Sequence, residues 1–344
     1  MKMKKLFVLF VCASLSAGFF TAYAQKQGKE PFMTRSFPAS SITEVEAATS
    51  GGSLTLTGEA GSQAVVEVYV SRDSWSNEKI KQTLDENYTI DVKVTNGKLY
   101  VAAKQKKNIA NWQQGLSISF KITVPKQVNS DLKTSGGSIR LSNLSGSQNF
   151  KTSGGSLGIE NVSGNIVGAT SGGSINVSGS KDNIDLRTSG GSMTAKDCSG
   201  TINLSTSGGS INLNNLNGTI HAATSGGSIT ANDINGTLTA GTSGGSVKLN
   251  NISGNVDAHT SGGSMEVRIN SVSNSVKLSS SGNINLYLPT GTGYNLYVKG
   301  HPIETSGMKN FHGDSESRRI EGSTGNGGAE INIKSSQRVR LLFE

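Results

Sequence analysis

Cysteine, proline and aromatic residues are scarce in this chain of 344 residues. It has two cysteines, and because Cys12 falls in a predicted leader, Cys198 would remain alone and could form no intramolecular disulfide. All five prolines lie outside residues 134–287, as expected where every backbone N–H is needed by a strand ladder. The aromatic residues of that stretch are Phe150 and Tyr287, which predicts a narrow core of aliphatic side chains.

Excess charge of one sign is also limited. The chain has 32 Lys and Arg against 24 Asp and Glu, a net charge of +8, of which three lysines of the leader account for three, leaving +5. The tight basic groups lie at 104–107 and at Arg318 and Arg319, without aromatic platforms on which bases could stack. This pattern argues against a nucleic-acid partner and favours solvated loops.

The first 24 residues have the composition of a secretory signal peptide. Lysines precede an apolar run that ends in Ala-Tyr-Ala, so we predict export and cleavage after Ala24. A lipid-modified Cys12 is the weaker alternative, because Val11 rather than a small residue precedes it. No later segment is apolar enough to span a bilayer.

One pentapeptide, Thr-Ser-Gly-Gly-Ser, is present in abundance. Its eight strict copies are 18 residues apart and begin at residues 134, 152, 170, 188, 206, 224, 242 and 260. An isolated early copy begins at Thr49, and a looser one at Ser279. A fixed period of this size indicates a solenoid in which each repeat forms one coil.

Each repeat divides into two nine-residue halves, as in TSGGSINLN and NLNGTIHAA. Apolar and polar residues alternate in each half, so Ile211 and Leu213 should point inward and Asn212 outward. Cys198 stands where other repeats have Leu, Val or Ile, and is therefore interpreted as a core residue. We predict an all-β fold, a right-handed parallel β-helix (solenoid) of 18-residue coils, with two short strands per coil and about 4.8 Å between coils.

The invariant pentapeptide is interpreted as a corner of the coil. A corner must match the corners above and below it, whereas outward strand positions are free to vary. Its glycines are expected to supply positive φ, and its threonine to form a stacked hydroxyl column at the edge of the core. An exposed Ser/Thr ladder that binds a ligand is the alternative interpretation.

Four segments are predicted along the chain. They are the signal peptide at 1–24, a strand-rich N-terminal cap with the first coils at 25–133, the solenoid array at 134–287, and C-terminal strands that close the solenoid at 288–344. Caps are needed because an open last coil exposes unpaired strand edges.

Local signals add detail within the two end segments. Residues 42–56 are interpreted as an opening coil, and Ser76 is expected to cap a helix over 77–87. Asn96-Gly97 predicts a hairpin turn, and the polar, Gly-rich stretch at 300–328 is interpreted as a connection between strands.

The ends and the repeats together resemble a known family. The signal peptide precedes a strand-rich entry, ITVPKQVNSDLKTSGGSIRL, tandem TSGGSI coils and an exit, LYLPTGTGYNLYV. In these features the chain resembles the bacterial putative-adhesin family of exported β-solenoid proteins, whose members are mostly of unknown function. The resemblance implies a parallel β-helix at the cell envelope or outside it, and it supplies no functional residues.

The sequence offers no candidate for catalytic, cofactor-binding or metal-binding residues, and no cofactor is expected. β-Helix glycosidases need two carboxyls about 5 to 9 Å apart, whereas stacking at 18 residues places Asp185 beside Asn203 and Asp233 beside Asn251. An acid pair across different columns leaves open the alternative of a polysaccharide-active lyase or glycosidase. The histidines share neither a column nor a metal-ligand spacing.

A second alternative is an ice- or crystal-binding solenoid. Thr201, Thr219 and Thr237 should form one outward column, as flat crystal-binding faces require. The companion column is charged and irregular, with Asn203, His221, Thr239 and Asp257. The prediction is therefore an exported, non-catalytic structural or adhesive module, in the periplasm, at the outer surface or outside the cell, with surface glycans or envelope proteins as partners.

Overall fold

The computed structural model describes residues 30–106 and 115–344, and the predicted signal peptide at 1–24 lies outside them. Residues Pro31–Glu344 form one compact unit. The described residues contain 26 strands of a single sheet and one α-helix. The fold is all-β, and its many parallel strand pairs are consistent with a β-solenoid.

The strands follow one another closely along the chain. The N-terminal part contains β1 (Met33–Pro38), a 3-10 turn (Ala39–Ser41), β2 (Glu44–Thr49), β3 (Leu54–Glu59), β4 (Gln63–Ser71), α1 (Asn77–Asn87), β5 (Tyr88–Thr95), β6 (Lys98–Gln105), β7 (Ser117–Pro125) and β8 (Asn129–Thr134). The repeats contain β9 (Ile139–Ser142), β10 (Ser145–Lys151), β11 (Leu157–Glu160), β12 (Ser163–Thr170), β13 (Ile175–Ser178), β14 (Lys181–Thr188), β15 (Met193–Thr206), β16 (Ile211–Thr224), β17 (Ile229–Thr242), β18 (Val247–Thr260) and β19 (Met265–Ser280). The C-terminal part contains β20 (Ile284–Leu288), β21 (Tyr294–Lys299), β22 (Ile303–Ser306), β23 (Phe311–Glu316), β24 (Arg319–Thr324), β25 (Ala329–Ser335) and β26 (Val339–Phe343).

Parallel pairing in the repeats follows the sequence period. Thr206 of β15 lies beside Thr224 of β16, which lies beside Thr242 of β17. The inward register predicted from the alternation is confirmed, since Ile211 and Leu213 are buried and Asn212 is exposed. Equivalent positions of neighbouring repeats therefore form columns up to β18, and the register shifts between β18 and β19, where Val256 lies beside Val276.

The core is aliphatic, and residues of neighbouring repeats compensate for one another's size. A Cβ built on Gly168 would lie 2.3 Å from Cε2 of Phe150, so the Phe150 ring fills the space that a side chain at 168 would take. Cys198 is buried, as predicted, and burial raises the pKa of its thiol. The core thus accommodates single exceptions without a change of register.

The two halves of a repeat are less separate than predicted. The first three repeats have two strands each, but from Met193 onward one 14-residue strand runs through the second corner. At that corner of β16 only Asn215, with φ 51°, is left out of the ladder, so pairing with β17 resumes at Leu216. The Thr-Ser-Gly-Gly-Ser corner keeps the strands apart because four residues, 207–210 between β15 and β16, lie outside the strands.

The helix and hairpin predicted for the N-terminal part are both present. The Ser76 hydroxyl accepts a hydrogen bond from the Lys79 N–H at the start of α1, and β5 and β6 pair antiparallel around Asn96-Gly97. Residues 42–56 form a coil, as predicted, since β2 and β3 pair in parallel with β8 and β9, but this coil is not the outermost layer. Strand β2 lies between β6 and β8, and β3 lies between β7 and β9, so the later strands β6 and β7 are farther out than the earlier ones.

The C-terminal part has the same kind of insertion. Strand β25 lies between β19 and β21, and β26 lies between β20 and β22. The stretch 300–328 is not a plain connection, because β22, β23 and β24 form in it. These strands were missed because β23 and β24 pair antiparallel at the end of the stack, where most of their residues are exposed and lack alternation. The segment boundaries at 133 and 287 stay predictions.

Candidate binding surface

The threonine of the repeated pentapeptide is buried and bonded to backbone. Thr206 Oγ1 donates to the Gly191 carbonyl of the preceding repeat at 2.9 Å and accepts from the Gly209 N–H at 3.4 Å. The same two bonds recur at Thr134, Thr152, Thr170, Thr188, Thr224, Thr242 and Thr260. The predicted hydroxyl column at the core edge is confirmed, but its members bond glycine backbone rather than one another.

The last serine of the pentapeptide also bonds from one repeat to the next. The Ser228 N–H donates to Ser210 Oγ at 3.2 Å, and the Ser246 N–H donates to Ser228 Oγ at 3.1 Å. A hydroxyl at this position therefore satisfies a backbone donor that would otherwise leave the ladder unpaired. Both hydroxyl-bearing ends of the pentapeptide join adjacent repeats.

The second glycine of the pentapeptide is required for a reason that the sequence did not reveal. Its φ lies outside the left-handed region, so the predicted positive φ is wrong at this corner. A Cβ on Gly209 would lie 2.1 Å from the Gly191 carbonyl oxygen, whereas one on Gly208 would lie 3.5 Å from the Gly190 oxygen. Close approach of backbone to backbone therefore excludes a side chain at the second glycine only.

Positive φ occurs instead at the second corner of the repeat. Asn215 has φ 51° and Gly218 has φ 125°. Asn215 Nδ2 donates to Asp197 Oδ1 at 2.7 Å, and Asn251 Nδ2 donates to Asp233 Oδ1 at 3.0 Å. The recurrence of Asn or Asp at this place was the signal that could have identified the corner, because these residues tolerate left-handed backbone best after glycine.

Outward hydroxyls of the middle repeats differ from those of the corners. Thr201, Thr219 and Thr237 lie beside one another in β15, β16 and β17, with Asn203 and His221 in the adjacent column. We call this surface the threonine face, with Thr239 completing its second column. No hydrogen bond engages the hydroxyls of the three stacked threonines within the described part of the chain. These hydroxyls are therefore available to a ligand.

Carboxylates near this surface are separated from one another. Asp185 lies beside Asn203, and both of its oxygens accept hydrogen bonds from Arg187 at 3.0 Å. His221 and His259 occupy different columns. Across residues 30–106 and 115–344, no three His, Cys, Asp or Glu side chains are grouped so that they could hold a metal ion. The arrangement supplies hydrogen-bonding groups rather than a proton-transfer pair.

Comparisons with known proteins give resemblances at low identity. No family model and no curated protein matches the chain. Similar solved structures include a putative adhesin from Bacteroides fragilis, with 12% identity, a TM-score of 0.26 and coverage of 91% of this chain and 100% of that one. A putative lipid binding protein from Parabacteroides distasonis has 13% identity, a TM-score of 0.31 and coverage of 91% and 97%. A putative adhesin from Parabacteroides merdae has 14% identity, a TM-score of 0.32 and coverage of 75% and 97%.

Two of these three structures are described as putative adhesins and one as a putative lipid binding protein. TM-scores below 0.5 carry no argument about a ligand or an activity. No helix among the described residues is long and apolar enough to cross a membrane.

Proposed function

We propose that this protein is an exported, non-catalytic β-solenoid that serves as a structural or adhesive module of the bacterial cell envelope or surface. Its fold is a right-handed parallel β-helix of 18-residue coils, closed at both ends by the interleaved strands. The predicted leader directs export. The partners are surface glycans or other envelope proteins, which bind along the threonine face.

This proposal rests on a difference between the threonine hydroxyls of the corners and those of the threonine face. Thr206 and its equivalents are buried and bonded to backbone on both sides. Thr219 and its neighbours on the threonine face have the same side chain, yet their hydroxyls have no partner among the described residues. Stability therefore accounts for the corner threonines, whereas the face threonines present hydroxyls that an external partner can bind.

Regular spacing favours a repetitive partner. Adjacent residues of the face are separated by about 4.8 Å, the distance between neighbouring strands. A polymer with many hydroxyl or amide groups can contact several repeats together, so weak single contacts add to a useful affinity. Glycans and extended polypeptides both have this repetitive character.

Removal of the hydroxyls from the threonine face tests the proposal. We expect the triple variant Thr201→Val/Thr219→Val/Thr237→Val to lose at least about 10-fold in binding to surface glycans or whole bacterial cells, measured on a glycan array and by a cell-binding assay. The matched control places valine at three stacked positions in the first half of the same repeats, Thr194, Asn212 and Thr230. Equal loss in both triple variants would contradict a specific role of the threonine face.

A separate assay addresses catalysis. The purified protein is expected to release no reducing ends and no unsaturated uronates from neutral polysaccharides or polyuronates, with or without calcium. Release that disappears on changing one Asp or Glu would overturn the non-catalytic proposal and favour a polysaccharide-active enzyme.

A further inference from the structure

Three glycine-rich loops at the C-terminal end of the stack surround an open cavity of about 680 Å³. The loops are 290–293, 307–310 and 324–327, and the Phe343 ring lines the cavity as well. Two of these loops, 307–310 and 324–327, fall in the stretch 300–328 that was predicted to be a connection between strands. Together they form a concave surface at the opposite end of the stack from β1 and β5.

The loops are fixed to one another by backbone hydrogen bonds. The Gly325 N–H donates to the Asn310 carbonyl at 2.9 Å, which joins the second loop to the third. The Thr290 N–H donates to the Glu344 carbonyl at 2.9 Å, which joins the first loop to the last strand. Because these bonds join the loops through the protein's own backbone, little conformational entropy would be lost when a ligand binds.

Lys309 is the charged side chain of the cavity lining. It forms no ion pair or hydrogen bond within the part of the chain that the structure describes. The nearest acidic neighbour in sequence to the lining, Glu344, pairs with Arg268 at 3.5 Å. An unpaired cation among neutral groups makes the cavity attractive to an anion.

The other lining groups point to a sugar rather than to a simple anion. The side-chain amides of Asn310 and Asn326 have no hydrogen-bond partner among the described residues, and each can both donate and accept. The half-buried Phe343 ring lies 6.1 Å from the Tyr294 ring and gives the cavity an apolar patch. Hydroxyl groups, an apolar ring face and a negative charge are combined in a carboxylated sugar.

We propose that this cavity binds the end of an acidic glycan, with the sugar carboxylate on Lys309 and the sugar hydroxyls on Asn310 and Asn326. The inference rests on the proposed function, because it gives the glycan-binding module a second site with a defined ligand class. The threonine face contacts the length of a polymer, and the cavity takes a terminal acidic sugar.

The binding test uses two carboxylated probes and a neutral one. Titration calorimetry of the purified protein should detect binding of sialyllactose or trigalacturonic acid and at least about 10-fold weaker binding of lactose. Lys309→Gln should remove this preference for the acidic probes. Lys151→Gln, an exposed lysine on the outer surface of β10, is the matched control and should change nothing.

A second variant fills the cavity without changing its charge. Gly291 has φ 82°, and a Cβ built there meets no atom within 4 Å. Asparagine tolerates left-handed backbone better than other residues with a side chain, and Gly291→Asn adds an amide to the cavity lining, so the fold should persist while the acidic probes bind more weakly. Unchanged unfolding temperature with weaker binding is the expected pair of results.

The outcomes separate this inference from the proposed function. Equal binding of lactose and sialyllactose would refute the role of the carboxylate, and competition by inorganic phosphate at the same concentration as the sugar would refute the role of the sugar. Acidic-sugar binding that survives both Lys309→Gln and Gly291→Asn would refute the cavity alone. If the threonine-face variants also kept full cell binding, the proposed function would fail as well.

Discussion

Two single substitutions, Gly208→Ala and Gly209→Ala, test most directly whether close backbone approach requires the second glycine of the corner. Gly208 and Gly209 are neighbours in the same corner, and neither has positive φ. A Cβ on Gly209 would lie 2.1 Å from the Gly191 oxygen and 2.4 Å from the Gly191 carbonyl carbon. A Cβ on Gly208 would have its nearest contact at 3.5 Å, an ordinary van der Waals distance.

The two substitutions should therefore differ in sign as well as size. Gly209→Ala places a methyl group against backbone that cannot move unless the two repeats separate, so we expect a loss of about 3 kcal/mol or more of stability. Gly208→Ala fits its surroundings and reduces the freedom of the unfolded chain, so we expect a change between zero and a gain of about 1 kcal/mol.

Urea unfolding followed by far-ultraviolet circular dichroism measures both effects. Hydrogen exchange of the Ser192 and Ser210 amides would locate any loss of protection at the affected corner. If both variants unfold at the midpoint of the unchanged protein, or if Gly208→Ala is the more damaging, close backbone approach does not explain the second glycine.

Three further predictions concern single side chains. Thr206→Val leaves the Gly191 carbonyl without its hydroxyl donor and should cost about 1–3 kcal/mol of stability in the same unfolding assay. Thr219→Val on the threonine face should change the stability by less than about 0.5 kcal/mol. Asn215→Ala forces alanine into φ 51° and should cost about 1–2 kcal/mol, while Asn215→Gly should recover much of this loss. Because burial raises the pKa of the Cys198 thiol, its reaction with a disulfide reagent should be slow at pH 8 and faster at higher pH. The reaction should become fast at pH 8 once urea unfolds the chain. Fast labelling of the folded protein at pH 8 would contradict the burial of Cys198.

The register of the array could be predicted from the sequence because two periods agree there. The 18-residue repeat aligns equivalent residues, and the alternation within each half assigns Ile211 and Leu213 to the core and Asn212 to the surface. A shift of the strand register by one residue would have placed all of these apolar side chains on the surface. The local signals at Ser76 and at Asn96-Gly97 were equally informative, because helix caps and two-residue hairpin turns depend on neighbouring residues alone.

The ends of the stack could not be predicted in the same way. The place of β2 between β6 and β8 depends on contacts between residues far apart in the chain, and no period marks it. The role of Gly209 was missed for a related reason. Both a close approach between two repeats and a positive φ require glycine, so the sequence alone does not distinguish them. For the C-terminal cavity, the sequence showed only glycine, asparagine and threonine in loops, which are typical of turns.

The strands at the two ends of the stack also affect whether a second copy of the chain can extend the sheet. A parallel ladder that simply stopped would present unpaired backbone to a second copy. Here the outermost strands β1, β5 and β23 are antiparallel to their neighbours, whereas β22 pairs in parallel with β26, and β5 has an exposed ion pair between Asp91 and Lys93 at 3.0 Å. Charged side chains on an edge strand disfavour continuation of the ladder by another molecule. The number of binding groups in a row is then set by the repeats within one chain. Affinity for a polymer should therefore depend on the number of repeats and not on association of several protein molecules.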